Sequence, residues 1–149
     1  RGLLPRALTR VAAFPDRTFL ASVSAPPMPW KRLGDEAFAR GDYWEAVRLY
    51  LERAGELGLN EEQEVAEARA PELLRGPDLV PEGAKVLSNL AACLAKLGDF
   101  ASSLEQARRA SALAPRWARP WARIGVAAWR VNARTEAIEA YKKAVEFDP

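Results

Sequence analysis

Arg119 and Arg123 lie one helical turn apart and are the residues of this chain best equipped for chemistry, and that chemistry is the holding of an anion. At i and i+4 on a helix, both guanidinium groups project to one face. Guanidinium can hold a carboxylate through two parallel hydrogen bonds. Lys85 and Asn89 stand in the same i, i+4 relation on an earlier segment. Asn89 can donate through its amide without adding charge, and Arg130, two turns beyond Arg123, lengthens the basic strip. Catalysis finds no comparable equipment. The chain has no His and one Cys, Cys93, which removes zinc sites and His-dependent nucleophiles from consideration. It has no phosphate-cradling Gly loop, and its carboxylates are scattered over solvated helix faces. We therefore read no enzyme, no metal and no cofactor in this segment.

Positioning these side chains requires helices, and the spacing of small and large residues supplies them. The sixteen-residue spacing from Trp30 to Ala46 recurs from Leu87 to Ser103 and from Trp121 to Ala137. Within each interval an apolar residue (Leu33, Leu90, Ile124) precedes a tiny one (Gly34, Ala91, Gly125), and Tyr50, Ala107 or Tyr141 follows the close. Leu87 and Trp121 are 34 residues apart, the period of a unit built from two helices and a turn. The tiny residue of a first helix lets the second approach, with Ala46 or Ala137 expected as its partner, and large apolar residues fill the seam. Gly41-Asp42 and Gly98-Asp99 read as interhelix turns, in which Gly takes a left-handed conformation and Asp caps the next helix. Asn132 takes the turn role in the third unit, since Asn tolerates positive φ. Asp42 with Glu45 fits a capping box, and Pro115 and Pro149 stop their helices. Cys93, among Leu90, Ala92 and Leu94, is expected as a buried core thiol.

This pattern of Trp, Leu-Gly, Tyr and then Ala, an aromatic and Pro resembles that of the tetratricopeptide repeat (TPR) family. Residues 30–58, 84–115 and 118–149 are similar to three such repeats, the third in fullest register through Trp121, Ile124, Gly125, Ala137, Tyr141, Ala144 and Pro149. The second has Ser103 where a small Ala is expected. The first has Arg53 at a small-residue position, which predicts a distorted end. The resemblance implies an all-α, right-handed solenoid of three helix pairs. An irregular acidic insertion separates the first repeat from the second.

In such a stack the first helices line a concave groove that generally holds a peptide. Some TPR proteins bind the acidic C-termini of cytosolic heat-shock chaperones, ending Glu-Glu-Val-Asp, with a five-residue carboxylate clamp. The residues at the matching positions are Lys31, Asp35, Asn89, Arg119 and Arg123. Lys31, Asn89 and Arg123 match, Arg119 keeps the charge of a Lys, and Asp35 puts an acid where the pattern has a neutral Asn. Lys85 extends the basic face. Phe38 and Trp129, at corresponding places near the mouth of the groove, can grip an apolar ligand side chain.

Charge is uneven along the chain. Residues 60–83 hold seven acids and two bases, leaving +7 on the remainder against a chain total of +2. Pro71, Gly76, Pro77 and Pro81 punctuate this stretch, so a short helix near 61–70 followed by a loop is expected. It reads either as a solvated linker or as an acidic flap that competes for a basic groove. Residues 1–29 form a basic extension. Leu4, Leu8 and Val11 line one face and Arg6, Arg10 and Arg17 another, a transit-peptide-like arrangement interrupted by Pro5 and Pro15. No apolar run approaches the roughly 18 residues a membrane span requires.

Two function classes follow. One is a cytoplasmic adaptor that captures an acidic C-terminal peptide of a heat-shock chaperone. The other is a scaffold subunit of a larger complex, organellar if residues 1–27 are part of a transit peptide, with its TPR surface buried against partner subunits. Nucleic acid is disfavoured, because the −5 insertion repels phosphate. Ile138, Val145 and Phe147 on the last helix are expected to stay partly bare, awaiting a further segment or another subunit.

Overall fold

The computed structural model describes residues 29–59 and 80–149. They form six helices in three antiparallel pairs: α1 (Trp30–Ala39) with α2 (Tyr43–Glu56), α3 (Glu82–Lys96) with α4 (Phe100–Leu113), and α5 (Ala118–Arg130) with α6 (Arg134–Phe147). Each helix packs on the next along the chain, and α3 also touches α5, so the first helices of the second and third pairs are neighbours. This is the all-α solenoid of helix pairs that the sequence leads one to expect. The basic extension and the expected helix near 61–70 lie outside the described residues, as does the acidic flap up to residue 79. The last residues assigned to the insertion, Glu82 and Gly83, belong to the first turn of α3.

Four turns end their helices in the same way. After α1, α2 and α3, a glycine sits at positive φ (Gly41 at 78°, Gly58 at 64°, Gly98 at 84°), and after α5 Asn132 does so at 66°. In each, the amide of the next residue reaches back five residues: Asp42 to Ala37, Leu59 to Ala54, Asp99 to Leu94, Ala133 to Ala128. These are Schellman turns, which satisfy carbonyls that the helix end would otherwise orphan. Asp42 and Asp99 then cap α2 and α4 by accepting from the backbone amides of Glu45 and Ser102. The reciprocal half of the expected capping box is not made. Glu45 turns instead to Arg48, and the Asp42 amide is already committed to Ala37.

The end of the first repeat is not distorted. Helix α2 runs regularly through Glu56, because Arg53 finds partners that make it welcome at a small-residue position: Glu56 on its own helix and Glu82 at the start of α3. A second bridge of the same kind, Arg108 to Glu136 through two bonds of 2.7 and 2.6 Å, ties α4 to α6.

The close approach of paired helices also differs in detail from the expected Gly–Ala contact. A Cβ built on Gly34 would lie 2.5 Å from the Tyr50 ring, and one on Gly125 would lie 2.7 Å from the Tyr141 ring. The glycine makes a notch for a tyrosine, while Ala46 and Ala137 fill the seam beside it, fully buried. Ser103, at the equivalent place in the second pair, is buried but satisfied, its hydroxyl donating to the Ala91 carbonyl at 2.7 Å. Leu87, Leu90, Leu104, Leu113 and Ile124 supply most of the aliphatic bulk of the core, each worth roughly 1.5–3 kcal/mol of burial. Cys93 is buried among them. On α6, Ile138 is 50% exposed and Val145 64%, and Phe147 is half-buried.

Candidate peptide-binding groove

All eight candidate residues lie on the first helices: Lys31, Asp35 and Phe38 on α1, Lys85 and Asn89 on α3, Arg119, Arg123 and Trp129 on α5. Two cavities open along these helices. One of about 930 Å³ lies between α1 and the start of α3, lined by Trp30, Lys31, Asp35, Glu36, Glu82 and Lys85. The other, of about 290 Å³, has an apolar floor of Phe38, Ala91, Ala95 and Val126, with Arg119 and Arg123 at its edge.

Tyr50 reaches the first of them through Asp35. From α2 its ring passes through the Gly34 notch and packs edge-on to Trp30, with centroids 6.0 Å apart. Its hydroxyl donates to Asp35 Oδ1 at 2.9 Å and accepts from the Asn89 amide. Burial pushes the Tyr50 phenol well above its ordinary range, and the bond to Asp35 adds to the effect. The phenol therefore stays protonated and donating, which leaves the Asn89 amide with a further N–H for a ligand. Asp35 Oδ2 meanwhile takes the Lys31 ammonium in an i, i+4 ion pair.

Across α3 the charge is uncompensated. Arg123 Nε donates to the hydroxyl of Ser88, which is fully buried, at 2.8 Å. That bond engages Nε and leaves the terminal N–H groups outside it. Burial lowers the Arg123 pKa, and neighbouring Arg119 lowers it further. Arg119 is held over the Trp117 ring at 5.4 Å. Among the described residues no carboxylate lies within ion-pair distance of Arg119, Arg123 or Lys85. A partly desolvated guanidinium without a counter-ion gains by receiving a carboxylate. The Cys93 thiol below is pushed up to about 11, chiefly by burial, with Arg123 opposing and Asp35 assisting. Asp35 and Arg123 thus act on the same buried atom with opposite sign.

Two residues of the sequence-derived set point elsewhere. Trp129 is 54% exposed and lies beside Arg134 of α6, outside both cavities. It is six residues beyond Arg123, about 120° round the helix at 3.6 residues per turn. Arg130 covers the Phe100 ring of α4 at 5.0 Å, so it does not lengthen the basic strip.

Comparison with known proteins now bears on this geometry. Residues 118–149 match the family model for the tetratricopeptide repeat. The chain is 35% identical over 72 residues to the small glutamine-rich tetratricopeptide repeat-containing protein 2 of Mycosarcoma maydis, a stretch that is 48% of this chain and 20% of that protein. It is 28% identical over 119 residues to heat shock protein STI1 of Saccharomyces cerevisiae, 80% of this chain and 16% of that one. Among solved structures, the TPR2B-domain:pHsp70 complex of yeast Sti1 superposes with a TM-score of 0.60 at 27% identity, covering 80% of this chain and 78% of that one.

Residues 118–149 thus carry a tetratricopeptide repeat, and the described helices have the fold of TPR domains. The chain spans about a fifth or less of the curated relatives it matches. Among its described residues no helix is long and apolar enough to cross a membrane.

Three features of this TPR groove escaped sequence reasoning. Tyr50 reads as a packing residue, because its place in the repeat explains it fully; only its length carries the hydroxyl through to the groove. Ser88, next to Asn89, is a buried hydroxyl whose partner comes from another repeat, 35 residues away. The third is the Lys31–Asp35 ion pair, an i, i+4 pair of opposite charge that reading each residue by itself passes over.

Proposed function

We propose that this TPR domain is an adaptor that holds the acidic C-terminus of a heat-shock chaperone, with the terminal carboxylate at Asn89, Arg119 and Arg123. The observation that carries the reading is Arg123: half-buried, oriented by Ser88, and without an acidic partner among the described residues. The apolar floor at Phe38, Ala91 and Val126 suits an aliphatic side chain next to that carboxylate. The similarity to the TPR2B domain that forms a complex with pHsp70 supports the same class of ligand. This role is one of binding rather than catalysis, and it places the protein in the compartment of the chaperone, the cytoplasm.

The test is titration calorimetry with a peptide ending Glu-Glu-Val-Asp and with its C-terminally amidated form. The free acid should bind and the amide should lose most of the affinity. Equal affinity for both contradicts the proposal. A second reading, a scaffold subunit docked through its last helix pair, is favoured by the exposed Ile138 and Val145 on α6. It predicts a partner that binds with the groove already filled by peptide.

A further inference from the structure

The groove is electrically divided, and the division lies at Asp35. On the α5 side Arg119 and Arg123 carry two positive charges with no acid within ion-pair distance among the described residues. On the α1 side the cavity holds Lys31, Arg32 and Lys85 against Asp35, Glu36 and Glu82, so its charges cancel. Lys31 is engaged by Asp35, and Arg32 by Glu36. Asp35 cannot simply swing away, because its other oxygen accepts from the buried Tyr50 hydroxyl, which is itself held by Asn89. The protein thus supplies its own carboxylate where a second ligand carboxylate would meet Lys31.

We propose that Asp35 is the specificity-determining residue of this groove. It selects a C-terminus that presents one carboxylate to Asn89, Arg119 and Arg123 and a neutral hydrogen-bond donor, not a second acid, to α1. The inference rests on the binding mode proposed above and adds which member of that ligand class is preferred. An amide side chain at the last position can donate to Asp35 and leave the Lys31–Asp35 pair intact. An acid at the same place must displace Asp35 from Lys31 or sit against a like charge.

The test compares two free-acid peptides of the same body, one ending in Asp and one in Asn, each with an amidated control. They are titrated against the unaltered protein and against Asp35→Asn. The substituted side chain keeps an oxygen for the Tyr50 hydroxyl and frees Lys31, so the fold is undisturbed, which a thermal melt verifies. The unaltered protein should bind the Asn-ended peptide at least as tightly as the Asp-ended one. Asp35→Asn should reverse the order, favouring the Asp-ended peptide by about tenfold, the size expected for removing one like charge in a half-exposed site. The same peptide preference in both proteins overturns the proposal, as does a preference of the unaltered protein for the Asp-ended peptide that the substitution leaves unchanged. Failure of the underlying binding mode looks different: amidation would then leave every affinity as it was.

Discussion

Gly34→Ala adds a single methyl group and should be among the most damaging small substitutions in this domain. The new Cβ would lie 2.5 Å from Tyr50 Cζ and 2.7 Å from both Cε1 and Oη, where carbon atoms ordinarily meet at about 3.5–4.0 Å. The ring must therefore retreat by about 1 Å. It has little freedom to do so, being buried, stacked edge-on to Trp30 and bonded through its hydroxyl to Asp35. Overpacking of a tight site costs about 1–3 kcal/mol, and this pinned ring belongs at the upper end. Replacing a helical Gly by Ala returns roughly 1 kcal/mol of intrinsic preference. The net loss is then about 2 kcal/mol, a fall of ~10 °C in Tm for a domain of this size. Gly125→Ala is the internal control. Its Cβ would meet the Tyr141 ring at 2.7 Å, but that ring is 41% exposed and can turn toward solvent. The intrinsic gain should there roughly cancel the clash, leaving a change within about 0.5 kcal/mol. Urea unfolding of the two variants decides the matter. If Gly34→Ala is no more destabilising than Gly125→Ala, the idea that Tyr50 is locked by the groove network is wrong.

Other consequences follow from the same contacts. Ser88→Ala should weaken binding of an acidic C-terminal peptide several-fold while moving Tm little, since it removes the bond that orients Arg123; unchanged affinity in calorimetry would show that the hydroxyl does not position the guanidinium. Asp99→Ala removes the cap of α4 and should cost about 1 kcal/mol in denaturant unfolding. Hydrogen bonds from Ser102 and Arg108 hold the carboxyls of Asp99 and Glu136 below their ordinary values. Because the folded values are depressed, their stabilisation is complete above about pH 4.5 and is lost as the pH falls through the folded values. Melts from pH 7 to pH 2 should therefore decline below about pH 4.5, and a flat profile would contradict the assignment. The Cys93 thiol, buried and raised to about 11, should resist a thiol reagent at pH 8 until the domain unfolds.

The framework was legible in the sequence because it is local. Helix pairs, their register and the three interhelix turns follow from tiny residues, large apolar residues and Gly-Asp or Asn at fixed spacing. The Schellman turn at Gly58 and the regular end of α2 were not, because Arg53 depends on Glu82, a partner 29 residues away across the insertion. The candidate groove could be drawn from the sequence only as a set of residue types; Lys31 and Asp35 lie on α1, Asn89 on α3, and Arg119 and Arg123 on α5. Side-chain direction was the weaker part: Trp129 and Arg130 lie near the end of α5, where α6 and α4 offer them stacking partners. The network through Tyr50 and Ser88 could not be read at all, since both residues are explained equally well as core.

The central claim is that Arg123 receives the terminal carboxylate of a peptide. A thermodynamic cycle crossing Arg123→Ala with C-terminal amidation of a Glu-Glu-Val-Asp peptide measures that contact while cancelling effects that each change has alone. With the four affinities from calorimetry, the account predicts a coupling of about 2 kcal/mol, typical of a hydrogen bond between charged groups. A coupling near zero, with amidation equally harmful to both proteins, would place the carboxylate elsewhere and contradict it.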